Sequence, residues 1–181
     1  MTKLRNSARR VATAHWRVVL LALAVAVIAQ RAEAQQSTTA TYEDWTVRCA
    51  IGAGSPPQKP CDMEQFAYGQ TKERPFSRAA ILQRDKDKQL TLVVQVPVNV
   101  WLATGVRIEI GGKDIGLPAP FVRCGPAGCF AETGLTAEVQ KQFRTVTEPG
   151  RILYKNAAQQ DVVVPLSFKG FAQAFDAVAK N

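Results

Sequence analysis

Most nucleophilic and acid–base chemistry in proteins runs through histidine, and this chain has one, His15. It lies in a 34-residue stretch that reads as a removable leader. The remaining chain has none, which excludes Ser-His-Asp and Cys-His catalysis and every histidine-ligated metal site there. Carboxylates are the remaining acid–base candidates. Glu109 and Glu132 sit near central strand patterns; a glycosidase would need two such groups about 5–10 Å apart, one with its pKa raised by burial. Strand alternation predicts instead that both face solvent. Ser167 and Lys169 share a strand face as a nominal nucleophile–base pair, but the pair has no chemistry unless burial lowers the lysine pKa. We assign no catalytic residue, no cofactor and no metal.

The cysteines carry the other chemistry. Cys49, Cys61, Cys124 and Cys129 form two local groups, and four cysteines formally allow three pairings. Between Cys124 and Cys129 lies Gly-Pro-Ala-Gly, a four-residue hairpin loop that would bring their Cα atoms to about 4.5–5.5 Å, within disulfide reach. Loop-closure entropy assigns about 2 kcal/mol to that bridge and about 3 kcal/mol to Cys49–Cys61. The competing reading, a four-cysteine zinc site, needs reduced thiolates and C-x-x-C spacing; a redox pair needs the same spacing. Disulfides fit better.

Disulfides require an oxidising compartment, and the N-terminus supplies the address. Lys3, Arg5, Arg9, Arg10 and Arg17 precede an unbroken apolar run, Val18–Ala29, of 12 residues. That is short of the roughly 20 residues needed to span a bilayer. Ala32-Glu33-Ala34 then offers a signal-peptidase site, so residues 1–34 are expected to be cleaved before Gln35, leaving no stable membrane span. The whole chain has net charge +8, but the leader holds six of the 23 basic residues and one of the 15 acidic ones. The remaining excess, 17 against 14, is too small to suggest a nucleic-acid partner.

Residues 35–181 form one domain whose elements must hold these groups. Gln35–Thr41 reads as a frayed polar start, Trp45–Cys49 as a half-buried strand, and Ile51–Pro60 as a loop. Met63–Tyr68 is a second strand and Gly69–Arg78 a charged turn. Ala79–Arg84 and Leu90–Val96 flank a hairpin tip at Asp85–Lys88. Pro97 makes Val98–Leu102 irregular or an edge, and Val106–Ile110 alternates as a strand. Ile115–Val122 and Phe130–Glu132 follow. Thr136 caps a helix through Phe143. Arg151–Tyr154 and Val162–Phe168 are strands, and Phe171, Ala174, Phe175 and Val178 line one face of a terminal helix. The fold class is mainly β, a β-sandwich-like single domain of about eight strands with two short peripheral helices and two disulfides.

This ordered set of segments resembles the invasion-associated locus B proteins of alphaproteobacteria. The resemblance rests on Trp45-Thr46-Val47-Arg48-Cys49, Cys61-Asp62-Met63, and Pro97–Gly105 leading into Val106–Ile110. It continues through Phe121-Val122-Arg123-Cys124, Gly128-Cys129-Phe130-Ala131 and Pro165–Phe171, with Phe168 where family members more often carry leucine. The resemblance implies an exported β-rich envelope protein with no catalytic residues to carry over, linked in one pathogenic lineage to host red-cell entry.

Candidate partner-binding residues are few. Lys72, Arg74 and Arg78 with Phe76 between them would grip an anionic surface, although Glu73 interrupts them and charged turns usually only solvate. Trp101 is either an interface anchor or a plug beneath a loop; its apolar surroundings favour the plug. Trp45 reads as core. The leading expectation is a non-catalytic periplasmic or surface-associated protein that binds a protein, an envelope component or a host surface. A carboxylate hydrolase of envelope glycans and an envelope stress or assembly factor are the alternatives, and the oligomeric state is left open.

Overall fold

The computed structural model describes residues 37–50, 60–69, 73, 75–83 and 89–179. The expected leader with His15, most of the loop at 51–60 and the hairpin tip at 85–88 lie outside the described residues. In chain order the strands are β1 (Ser37–Tyr42), β2 (Trp45–Ala50), β3 (Cys61–Tyr68), β4 (Pro75–Gln83), β5 (Leu90–Val96), β6 (Val106–Ile110) and β7 (Lys113–Asp114). Then come β8 (Phe121–Gly125), β9 (Gly128–Gly134), helix α1 (Ala137–Thr145), β10 (Gly150–Lys155), β11 (Asp161–Leu166) and helix α2 (Phe171–Ala179). A seven-stranded sheet runs β1-β2-β3-β4-β5-β9-β8, and a four-stranded sheet runs β11-β10-β6-β7. All ladders are antiparallel.

The sandwich follows from period-two burial. Trp45, Val47, Met63, Ile81, Leu92, Val94, Val96 and Ala131 point from the large sheet into one core, where Val106, Ile108, Ile152, Tyr154, Val164 and Leu166 of the small sheet meet them. Burial of its hydroxyl raises the Tyr154 pKa above its ordinary value. Helix α2 packs on β1, β2 and β3. It buries Phe171, Ala174, Phe175 and Val178, the face its spacing predicts. At the start of α1 the Thr136 hydroxyl accepts from the Val139 N–H at 3.3 Å, and Glu138 lies in the first turn. The backbone N–H of Glu138 itself, and after it a hydrogen bond with the Thr136 hydroxyl, hold the Glu138 carboxyl below its usual range.

The sequence reading needs three corrections. There are eleven strands among the described residues, not about eight. Ser37–Tyr42 is a strand rather than a frayed start: a tight turn at Glu43 and Asp44, with Glu43 at φ 50°, folds it back onto β2 in unbroken register. It is polar because it is an edge and its first five residues are exposed. Pro75–Arg78 belongs to β4, not to a turn, because Phe66 and Arg78 sit opposite each other in the β3–β4 ladder.

Both disulfides form, Cys49–Cys61 and Cys124–Cys129, each with a Cα–Cα distance of 4.0 Å. Each joins directly opposed residues on neighbouring strands, β2 with β3 and β8 with β9. Strand directions place them at opposite ends of the large sheet. In the β8–β9 turn Gly128 has φ 129°, and a side chain there would strike the Val96 carbonyl, so only glycine closes this hairpin.

Candidate functional site

On the large sheet's outer face, ladder register brings together residues far apart in sequence. Phe66 opposes Arg78, Arg78 opposes Gln95, Gln95 opposes Phe130, and Phe130 opposes Arg123. These five planar side chains cross five adjacent strands in one row, spanning roughly 19 Å at about 4.8 Å per strand. The Arg123 guanidinium lies over the Phe130 ring, 3.8 Å from its centre.

Beside this row is a groove of 430 Å³ lined by Phe66, Pro75, Phe76, Arg78, Pro97 and Ala127, among others. Its polar groups are held in place: the Ser77 hydroxyl donates to the Gln95 carbonyl at 2.9 Å, and the Gln95 side-chain amide donates to the Ala127 carbonyl at 2.6 Å. Arg78 is anchored from behind. Its Nε donates to Glu64 Oε2 at 2.5 Å and its Nη2 to Asp62 Oδ2 at 3.3 Å. Glu64 is buried and also pairs through Oε1 with Arg48 Nη2 at 2.7 Å, a charge contact without hydrogen-bond alignment. A buried carboxylate between two guanidiniums fixes Arg78 against the sheet, so the groove presents a pinned cation rather than a flexible one. Burial raises the Asp62 pKa, with the Arg78 charge working against it.

The loop leaving β5 at this end is built to be rigid. Val100 bridges to Asn156, Trp101 N–H donates to the Lys155 carbonyl at 2.8 Å, and Ala157 N–H donates to the Asn99 carbonyl at 2.9 Å. Asn99 adopts φ 76°, a conformation asparagine tolerates better than most residues. Trp101 is 41% exposed and Leu102 58%, which overturns the plug reading: the apolar stretch is displayed rather than buried. Trp45, at 1%, is core as expected. Of the seven large apolar residues exposed among those described, Tyr68, Phe76, Val98, Trp101 and Leu102 sit on segments leaving this one end of the large sheet.

Of the sequence-derived candidates, Phe76 and Arg78 line the groove, and Trp101 stands on the loop that starts at its rim. Lys72 and Arg74 lie outside the described residues. The acidic pair does not converge. Glu109 faces outward from the small sheet, its side chain 13% exposed and paired with Arg151 at 2.5 Å, while Glu132 faces outward from the large sheet with the core between them. The Ser167 hydroxyl accepts from the Lys169 backbone N–H at 3.2 Å, a turn contact. Among the described residues no cluster of His, Cys, Asp or Glu could hold a metal ion, and no helix is long and apolar enough to cross a membrane. A second groove, of 510 Å³ and lined by Lys113, Asp114, Gln142 and Glu148 among others, is of similar size but charged. Sequence reading missed Phe66, Gln95, Arg123 and Phe130, whose alignment depends on register; their only local signal is alternation with core positions.

The comparisons with known proteins bear on the fold and the family. No curated protein matches the chain. A solved structure described as invasion associated protein b from Bartonella henselae superposes with a TM-score of 0.66 at 18% identity, covering 79% of this chain and 95% of that one. At that identity the likeness speaks for the fold alone. The profile of the family described as Invasion associated locus B (IalB) protein matches residues 45–179, from the first core tryptophan to the end of α2. The chain belongs to the invasion associated locus B family.

Proposed function

We propose that the chain is exported, cleaved before Gln35 and oxidised outside the cytoplasm. There it serves as a non-catalytic periplasmic or outer-surface protein that binds another envelope component or a host surface. The observation that carries this reading is the gathering of planar and apolar side chains at one end of the large sheet. The Phe66–Arg123 row and the groove beside it lie on the outer face, and the exposed Trp101 stands on the loop that leaves the groove's rim at Pro97. Aromatic and arginine side chains held this way characterise protein interfaces, whereas an acid–base active site needs convergent, desolvated acids. The name of the Bartonella henselae protein, invasion associated protein b, fits a contact with a host component.

A photoreactive amino acid placed at Phe76 in intact cells tests the surface, with the same residue at exposed Val163 as control. Adducts are expected from position 76 and not from 163, and Trp101→Ala with Arg123→Ala should reduce them severalfold. Equal yields at both positions, or yields indifferent to those substitutions, sink the proposal. Mass spectrometry of the same material should show a chain beginning at Gln35 with no free thiol.

A further inference from the structure

A sandwich of two open sheets has four edge strands, and unprotected edges recruit other strands. Three of the four are blunted here. β7 has two residues, Lys113 and Asp114, both charged. β11 carries Pro165, which has no N–H to donate. β8 slips register between Phe121 and Arg123 and ends at the disulfide-closed turn. β1 has none of these devices. Its six residues, Ser37-Thr38-Thr39-Ala40-Thr41-Tyr42, contain no charge, proline, glycine or bulge, and Ser37–Thr41 are all exposed.

The direction of its free backbone groups follows from register. In an antiparallel ladder, close pairs without mutual hydrogen bonds alternate with pairs that exchange them. Cys49 and Cys61, at 4.0 Å between Cα atoms, are a close pair, and next to them Ala50 N–H donates to the Pro60 carbonyl at 3.0 Å. Cys49 therefore turns its own N–H and C=O toward β1, where its partner is Thr38. It follows that Thr38, Ala40 and Tyr42 bond to β2, while Ser37, Thr39 and Thr41 point N–H and C=O outward. These outward groups have no partner among the described residues.

We propose that β1 is a self-pairing edge on which a second copy of the chain adds its own β1 antiparallel, joining two large sheets into one. The strand is complementary to itself. A two-fold axis at Thr39 sets Thr39 against Thr39 of the second copy and Ser37 against Thr41. Every outward N–H then meets an outward C=O, hydroxyl side chains lie opposite one another, and no like charges oppose. β1 and β8 are opposite edges of the large sheet, so the dimer leaves both Phe66–Arg123 rows open and becomes bivalent.

Sedimentation velocity of the exported, oxidised chain over a range of concentrations tests this. The mass should rise toward twice that of one chain. Thr39→Pro deletes an outward N–H without touching the β1–β2 bonds, and it should hold the protein at the single-chain mass. Thr39→Lys keeps every backbone group and sets like charges face to face on the axis, so it should do the same even if the proline variant folds poorly. A single-chain mass at every concentration, or self-association indifferent to Thr39→Lys, overturns the proposal. Neither result bears on the crosslinking at Phe76.

Discussion

The molecule keeps two aromatic groups of similar composition and opposite use. Inside, Phe171 is the hub of a buried set, with ring centres 5.3 Å from Trp45, 5.5 Å from Phe143, 6.0 Å from Phe168 and 5.6 Å from Phe175. Outside, Phe66, Phe76, Trp101 and Phe130 stand partly in solvent, held by strand register and by backbone bonds to a neighbouring turn. The inner set is placed by a helical face that must bury itself. The outer set is held at the surface by a backbone that is satisfied without it. Where the scaffold does not need a large apolar side chain, its exposure costs free energy that a binding partner would recover.

The largest expected effect breaks the inner set. Phe171→Ala removes the ring that touches the four others and should cost about 3–5 kcal/mol in chemical denaturation. Trp101→Ala is the matched outer change and should stay within about 0.5 kcal/mol, while reducing crosslinking at Phe76. If Trp101→Ala destabilised as much as Phe171→Ala, the outer group would be scaffold and the distinction would fail.

The two disulfides sharpen the contrast between the ends of the large sheet. Sequence separations of 12 for Cys49–Cys61 and 5 for Cys124–Cys129 set the loops closed in the unfolded chain. Replacing both cysteines by serine should cost about 3 kcal/mol for the first pair and about 2 for the second. Melting temperatures of the two double variants would show the order. The reverse order would mean that the hairpin beside the groove depends on its bridge for more than loop closure.

These contrasts also show what local pattern conveys. The Phe171, Ala174, Phe175 and Val178 face was legible because helical spacing marks burial directly. The two cysteine pairs were legible because short loops leave little geometric choice. Trp101 was misread because an apolar stretch resembles core whether or not the fold covers it, and the bonds holding this one open come from Lys155 and Asn156, more than 50 residues onward. The Phe66–Arg123 row was illegible for a related reason. Each member sits at an ordinary alternating position, and only the register of four successive ladders aligns them. β1 was missed because an edge strand need not bury a face, so its sequence carries no hydrophobic period.

The smallest effect separates two carboxylates held by different physics. Asp62, beside the first disulfide, is raised above 3.8 chiefly by burial. Asp161, on an exposed edge, is lowered below 3.8 by the Lys155 ammonium, which donates to Oδ1 at 2.8 Å. The signs differ accordingly. The Asp161 pairing contributes stability above pH 3.8 and loses it as pH falls through the lowered folded value. Ionised Asp62 is a burden on the fold, relieved as pH falls through its raised value toward 3.8. Carboxyl-carbon NMR titration should therefore place the two midpoints on opposite sides of 3.8. Lys155→Met should return Asp161 toward that value. Arg78→Met should drive Asp62 further up, because the charge opposing its burial is gone. A downward move of Asp62 in that variant would mean Arg78 acts by screening it from water, and the pinned cation at the groove would need another account.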